Sequence, residues 1–114
     1  MTQVIGPEQM DLLVSAVRDG KIVAFPTETV YGVACLFDDL KGLDRIMEIK
    51  KRNPNKAVTL MLSKKDDVKK YGLVDEGTQR VIDKFMPGRM TIVLKRLDSV
   101  DSRHVSGKDT IGIR

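Results

Sequence analysis

Apolar positions along this chain recur with two different periods that alternate. Met10, Leu13, Val14 and Val17 stand three and four residues apart between Gly6-Pro7 and Gly20. That spacing predicts a helix over 7–19, with proline in its first turn and glycine at its stop. Lys21-Ile22-Val23-Ala24-Phe25 follows as an apolar run that reads as a buried strand. Val33-Ala34-Cys35-Leu36-Phe37 reads as a second buried strand or as an irregular apolar segment. Helical spacing returns at Leu40, Leu43, Ile46, Met47 and Lys50, after Asp38 and Asp39 as caps, and Asn53-Pro54-Asn55 breaks it.

The second half repeats the alternation. Residues 57–62 predict a strand, and Ser63 with Asp66 resembles a capping-box start for a short helix to about Lys70. A further helix is expected from Asp75 to Phe85, stopped by Pro87-Gly88, and Met90 through Leu94 predict another strand. Residues 96–109 read as a polar loop, and Thr110-Ile111-Gly112-Ile113-Arg114 as the beginning of one more strand. Helices and strands in this order indicate a single α/β domain over 1–114, with a twisted open mixed sheet and flanking helices.

Composition narrows the chemistry mainly by exclusion. Cys35 is the only cysteine and His104 the only histidine, which excludes an internal disulfide, a multi-histidine zinc site and a His-paired nucleophile within one chain; no metal site is expected. The longest apolar runs reach about six residues, far short of the ~20 needed to span a bilayer. Without a basic-apolar leader, a cytoplasmic home is expected. A net charge of +4 favours polyanions such as nucleotides or RNA. Aromatic content of 4% is too low for a platform on which single-stranded bases stack.

Candidate chemistry concentrates in two places. Pro26-Thr27-Glu28-Thr29-Val30-Tyr31-Gly32 directly follows an apolar run, where open α/β sheets tend to bind ligands. The same residues suit a plain turn. If the segment is extended, Thr27, Thr29 and Tyr31 alternate toward one side and cradle a small polar ligand. Lys50-Lys51-Arg52 closes a helix, where cations favour the helix dipole. Alternatively, Lys50 and Arg52 straddle a turn to meet phosphate, with Lys56 joining them. Neither G-x-x-x-x-G-K-[ST] nor G-x-G-x-x-G occurs, so any nucleotide is held by other means. Lys64, Lys65, Lys69 and Lys70 read as a solvated helix face or an RNA-facing patch.

Taken together, Pro-Thr-Glu-Thr-Val-Tyr-Gly at 26–32, Lys-x-Arg at 50–52, Pro-Gly at 87–88 with Thr91, and Ser-Gly-x-x-Thr-x-Gly-x-Arg at 106–114 resemble the YrdC-like family, in order and spacing. The resemblance implies a YrdC-like fold around a large, positively charged cavity. It also implies L-threonylcarbamoyladenylate synthase activity: L-threonine, bicarbonate and ATP with Mg2+ give threonylcarbamoyl-AMP, a nucleotidyltransferase step in tRNA modification. Partner proteins then transfer the threonylcarbamoyl group to tRNA. Carried over by motif, Thr27, Thr29, Tyr31 and Arg114 bind L-threonine. Lys50 and Arg52 act catalytically at the ATP phosphates, and Lys56 and Thr110 contact the nucleotide. Arg89 stands where the family has proline, Ala57 replaces a common proline, and Gly32-Val33-Ala34 lacks a usual second glycine. The Ser-x-Asn motif of the family is not present, so the resemblance covers the first half to two-thirds of the family domain. That coverage leads us to expect an open strand edge near Arg114, able to pair two copies. The competing readings are a double-stranded RNA or tRNA-binding module without catalysis, and an inactive truncated relative.

Overall fold

A computed structural model describes residues 2–27, 30–53 and 55–114. It is a mixed α/β chain of two compact units, Met1–Arg52 and Asn53–Arg114. Among the described residues no helix is long and apolar enough to cross a membrane.

In the first unit a short 3-10 turn, Pro7–Gln9, leads into helix α1 (Met10–Arg18). Leu13, Ala16 and Val17 are its half-buried side chains, while Met10 and Val14 of the expected face remain 55% and 39% exposed. The helix ends as the sequence predicts. Gly20 takes the left-handed conformation at φ +81°, its N–H meets the Val17 carbonyl at 3.1 Å, and Lys21 N–H meets that of Ala16 at 3.0 Å. This paired closure satisfies carbonyls that the last helical turn leaves open.

Strands β1 (Val23–Pro26) and β2 (Tyr31–Ala34) then form an antiparallel hairpin, with Val23 opposite Ala34 and Pro26 opposite Tyr31. Helix α2 (Leu40–Ile49) follows, capped by Asp39, whose Oδ1 accepts from Gly42 N–H at 2.9 Å. Of the expected apolar face, Ile46 is buried and Leu40, Leu43 and Met47 are half-buried.

In the second unit the expected helix after Ser63 is a 3-10 turn, Lys65–Lys70, entered from Lys64 without a side-chain cap. The capping-box expectation fails because Lys64, whose side chain cannot accept a hydrogen bond, takes the N-cap position in place of Ser63. Helix α3 (Glu76–Phe85) starts where predicted, with Asp75 accepting from Thr78 N–H at 2.7 Å. Strands β3 (Ile92–Lys95) and β4 (Thr110–Ile113) pair antiparallel, Ile92 opposite Ile113 and Lys95 opposite Thr110.

Two further segments extend this pair. Leu60 N–H donates to Gly112 O at 2.9 Å, Arg114 N–H to Leu60 O at 2.8 Å and Leu62 N–H to Arg114 O at 2.9 Å. Residues 60–62 therefore run parallel beside β4. On the far side, Leu73 N–H meets Lys95 O at 2.9 Å and Leu97 N–H meets Tyr71 O at 3.0 Å. The lateral order is 60–62, β4, β3, 71–73. β4 is thus an interior strand, and the open edge expected near Arg114 is not found there, because 60–62 occupies its second side.

Burial alternates along β4, with Ile111 and Ile113 buried and Thr110 and Gly112 half-exposed. Leu94 of β3 shares the buried side, and Val68, Ile82, Met86, Val100 and Val105 complete the unit's buried apolar residues. The polar loop of 96–109 contributes to this core and is not a free loop. Arg96 donates from Nε to Lys108 O at 3.1 Å and from Nη1 to Val100 O at 2.6 Å, fastening the loop across its base. Its 3-10 turn, Ser102–Val105, is capped by Asp101.

Asp101 also meets the Arg103 guanidinium, with Oδ2 2.6 Å from Nη2. That side-chain hydrogen bond, followed by the Arg103 backbone N–H, holds the Asp101 carboxyl down to about 2. A carboxylate held below its unfolded value of about 3.9 adds stability above that value and loses it as pH falls toward 2. A carbon-13 titration of Asp101 should give a midpoint near 2. Arg103→Ala should return that midpoint toward the ordinary carboxylate range, and an unchanged midpoint would reject the pairing as its cause.

Candidate functional site

The threonine-rich segment is a hairpin connection. Thr27 directly follows β1, donates its hydroxyl to Val30 O and accepts from Val30 N–H. Tyr31 opens the returning strand opposite Pro26. Residues opposite one another share a face, and neighbours along a strand alternate. Thr27 therefore goes with Phe25 and Gly32, whereas Tyr31 goes with Pro26. A Cβ built on Gly32 would meet Thr27 Cγ2 at 3.3 Å, which confirms the first grouping. Tyr31 is 75% exposed. The expectation that Thr27 and Tyr31 project to one side of an extended segment is thus corrected, because the chain turns back between them. Thr29 lies outside the described residues.

Cys35, just past β2, is partly buried, and that burial, reinforced by the nearby Asp39 carboxylate, pushes its thiol pKa up. A raised pKa keeps the thiol protonated, the less nucleophilic form.

Lys50, Lys51 and Arg52 form a defined turn instead of a frayed helix end. Lys51 N–H donates to Glu48 O at 3.1 Å and Arg52 N–H to Met47 O at 3.0 Å, the same paired closure that ends α1. Here the left-handed position is held by Lys51, at φ +49°, where α1 has glycine. A side chain in that conformation costs roughly 1 kcal/mol. The closure fixes the backbone of Lys50 and Arg52 on either side of Lys51 while leaving Lys50 exposed. Lys51→Gly should raise the free energy of unfolding by up to about 1 kcal/mol in urea titrations. A fall in stability would mean that the Lys51 side chain makes compensating contacts.

In the second unit Lys56 is exposed, its N–H closing a turn onto Asn53 O at 2.9 Å. Thr110 and Arg114 stand four residues apart on β4 and its continuation, so they share the face opposite buried Ile111 and Ile113. Gly112 lies between them, directly opposite Val93. Thr59 and Thr91 flank Gly112, and Met61 and Val93 are 56% and 64% exposed. Lys95, exposed and opposite Thr110, joins the same face, whose hydroxyls, glycine and two cations were only partly legible beforehand. Period-two alternation from Thr110 to Arg114 identifies Gly112, but Thr59 and Thr91 join it through strand pairing.

The lysines at 64, 65, 69 and 70 are exposed. Lys70 pairs with half-buried Asp67 at 3.1 Å, and Lys65 reaches exposed Asp83 at 4.0 Å. A small polar pocket lined by Lys65, Asp66, Lys69 and Gln79 lies there and includes none of the residues expected to bind substrate.

Comparisons with known proteins place these features. The family model Sua5_yciO_yrdC, described as Telomere recombination, matches residues 15–114. A putative threonylcarbamoyl-AMP synthase of Methanocaldococcus jannaschii is 33% identical over 105 residues, covering 92% of this chain and 50% of that protein. A threonylcarbamoyl-AMP synthase of Pyrococcus abyssi is 31% identical over 99 residues, covering 86% of this chain and 29% of that protein. In three dimensions the chain is similar to Escherichia coli YciO, with TM-score 0.86 at 27% identity, over 100% of this chain and 59% of that one. It is also similar to P. abyssi Sua5 complexed with L-threonine, with TM-score 0.84 at 28% identity, over 98% of this chain and 33% of that one. The chain spans half the length, or less, of these curated relatives.

Proposed function

Because the chain belongs to the Sua5/YciO/YrdC family, we propose that it acts in L-threonylcarbamoyladenylate synthesis, handling L-threonine, bicarbonate and ATP. The amine of L-threonine and bicarbonate give a carbamate and water. A carbamate oxygen then attacks the α-phosphorus of ATP, the bond toward the β-phosphate breaks, and pyrophosphate leaves with the electron pair. The product, an activated carbamoyl donor, is suited to transfer by partner proteins onto a tRNA adenosine.

Such a step needs positioned reactants and neutralised phosphate charge more than it needs a covalent nucleophile. Lys50 and Arg52 are assigned to the phosphates, the lysine as a compact charge and the arginine as a two-pronged donor. Arg114 is assigned to the threonine carboxylate, Thr27, Thr29 and Tyr31 to the remainder of the amino acid, and Lys56 and Thr110 to the nucleotide. Magnesium is assigned to the ATP complex. Among the described residues no group of three or more His, Cys, Asp or Glu side chains is arranged to hold a metal ion.

The observation that carries this reading is the match over 98% of the chain to a protein solved with L-threonine bound. The test is pyrophosphate release from Mg-ATP and bicarbonate, with and without L-threonine. Threonine-dependent release supports the reading. Its absence from a folded sample would reject synthase activity for this chain.

A further inference from the structure

Gly112 sits in the middle of β4, a strand paired on both sides, where glycine is a poor choice. Relative to alanine it weakens a strand interior by roughly 0.5–1 kcal/mol, through backbone entropy and lost packing. Its nearest described neighbours do not require it. A Cβ at Gly112 would meet Thr91 Cγ2 at 3.5 Å and Thr59 Oγ1 at 3.8 Å, both ordinary contacts. Nor does it occupy the left-handed region, where Gly20 and Gly107 are found.

Gly72 provides the contrast within the same sheet. A Cβ there would come within 2.9 Å of Leu94 Cδ1 and 3.0 Å of Leu94 Cβ, so a side chain would force Leu94 to shift. Gly112 lacks such a reason on its own side of the sheet. What a side chain at Gly112 would occupy is space above the half-open face. That face also carries Thr59, Thr91, Thr110 and Arg114, with exposed Val93 and Met61 beside it.

We infer that Gly112 is a specificity-determining floor, leaving room for the joint of a two-part ligand whose ends lie toward Thr110 and Arg114. The inference rests on the functional reading above, in which Thr110 contacts the nucleotide and Arg114 the threonine carboxylate. Four residues of strand separate those two by roughly 13 Å at ~3.3 Å per residue. Gly112 lies at the midpoint, beneath the carbamoyl-phosphate linkage that joins the amino acid to the nucleotide. L-threonine alone occupies the Arg114 end and does not extend over Gly112. The adduct does.

The test compares the wild-type chain with Gly112→Ala in calorimetric titrations of L-threonine and, separately, of freshly prepared threonylcarbamoyl-AMP. Thermal melting is followed on the same samples. The expected result is an unchanged or raised melting temperature and L-threonine affinity within about twofold of wild type. Adduct affinity should fall about tenfold or more, as when one methyl group overfills a packed site. Gly72→Ala serves as the structural control and should lower the melting temperature.

Equal adduct affinity in Gly112→Ala and wild type would overturn the inference while leaving the functional reading standing. Loss of both ligands at an unchanged melting temperature would move the floor under the amino acid and overturn the placement. Loss of both with a lowered melting temperature would make the glycine structural, which also overturns it. Wild-type protein that binds neither ligand would defeat the functional reading, and the inference with it.

Discussion

Replacing Lys50 and Arg52 together by alanine should reduce threonine-dependent pyrophosphate release by about a thousandfold or more. Removing a single preorganised donor from a developing oxyanion costs on the order of 10²–10³ in rate. Here two cationic donors are lost from the end of one helix. Preorganisation has a specific source in this chain. The two backbone hydrogen bonds that close α2 onto Glu48 and Met47 hold the turn, and Lys51 takes the left-handed position between the two cations. Lys50 is exposed and Arg52 half-buried, so the melting temperature of the double variant is followed on the same samples as its rate. That separates a chemical loss from an unfolding loss. Initial rates at saturating Mg-ATP, with L-threonine varied, provide the measurement. If the variant retained release within tenfold of wild type, the phosphate assignment of Lys50 and Arg52 would be wrong.

The same helix end shows how far the sequence can be read. A cap of α2 at Asp38 or Asp39, the start of α3 at Asp75 and the stop of α1 at Gly20 are all visible in the sequence. Each depends on a residue type whose local chemistry is decisive within one turn. The left-handed Lys51 is not visible in that way, because no propensity marks a lysine for that conformation. It follows from how the chain leaves α2. Of the two readings of the threonine-rich segment, a turn and an extended ligand cradle, spacing alone could not choose, for a related reason. Thr27 and Tyr31 have the right spacing for one face of a strand, but the hydrogen bonds between Thr27 and Val30 turn the chain instead.

Strand order was less legible still. Period-two alternation places Thr110, Gly112 and Arg114 on one face. It contains nothing about residues 60–62 lying alongside β4, a pairing about fifty residues away in sequence. The loop of 96–109 looks polar because its apolar residues, Leu97, Val100 and Val105, are isolated. Val100 and Val105 are nevertheless buried, in a loop that Arg96 fastens through bonds to two carbonyls that composition does not reveal. The candidate site residues come mainly from motif resemblance, and their geometry is legible only where one element carries two of them.

β4 is such an element, and the second large effect is expected there. Ile113 is fully buried, with 0% exposure, and lies between Ile92 of β3 on one side and Leu60 on the other. Truncating a buried isoleucine to alanine costs about 2–5 kcal/mol, as the sum of lost transfer energy and the cavity left behind. Ile113→Ala should fall toward the upper part of that range, since an interior strand hydrogen-bonded on both sides cannot shift to close the gap. Against a total stability of roughly 5–15 kcal/mol for a domain, that loss is a large fraction. Urea unfolding should show the midpoint falling with little change in slope. Val93→Ala, on the exposed face of the adjoining strand, should cost far less. Ile113 and Arg114 are adjacent and face opposite ways, so the packing of one positions the other. Ile113→Ala should therefore also weaken L-threonine binding at temperatures where the protein remains folded. Val93→Ala should preserve the Arg114 position. If both variants lost similar stability, the sheet would be covered on both faces, and the open face that carries Thr110, Gly112 and Arg114 would have to be abandoned as a ligand surface.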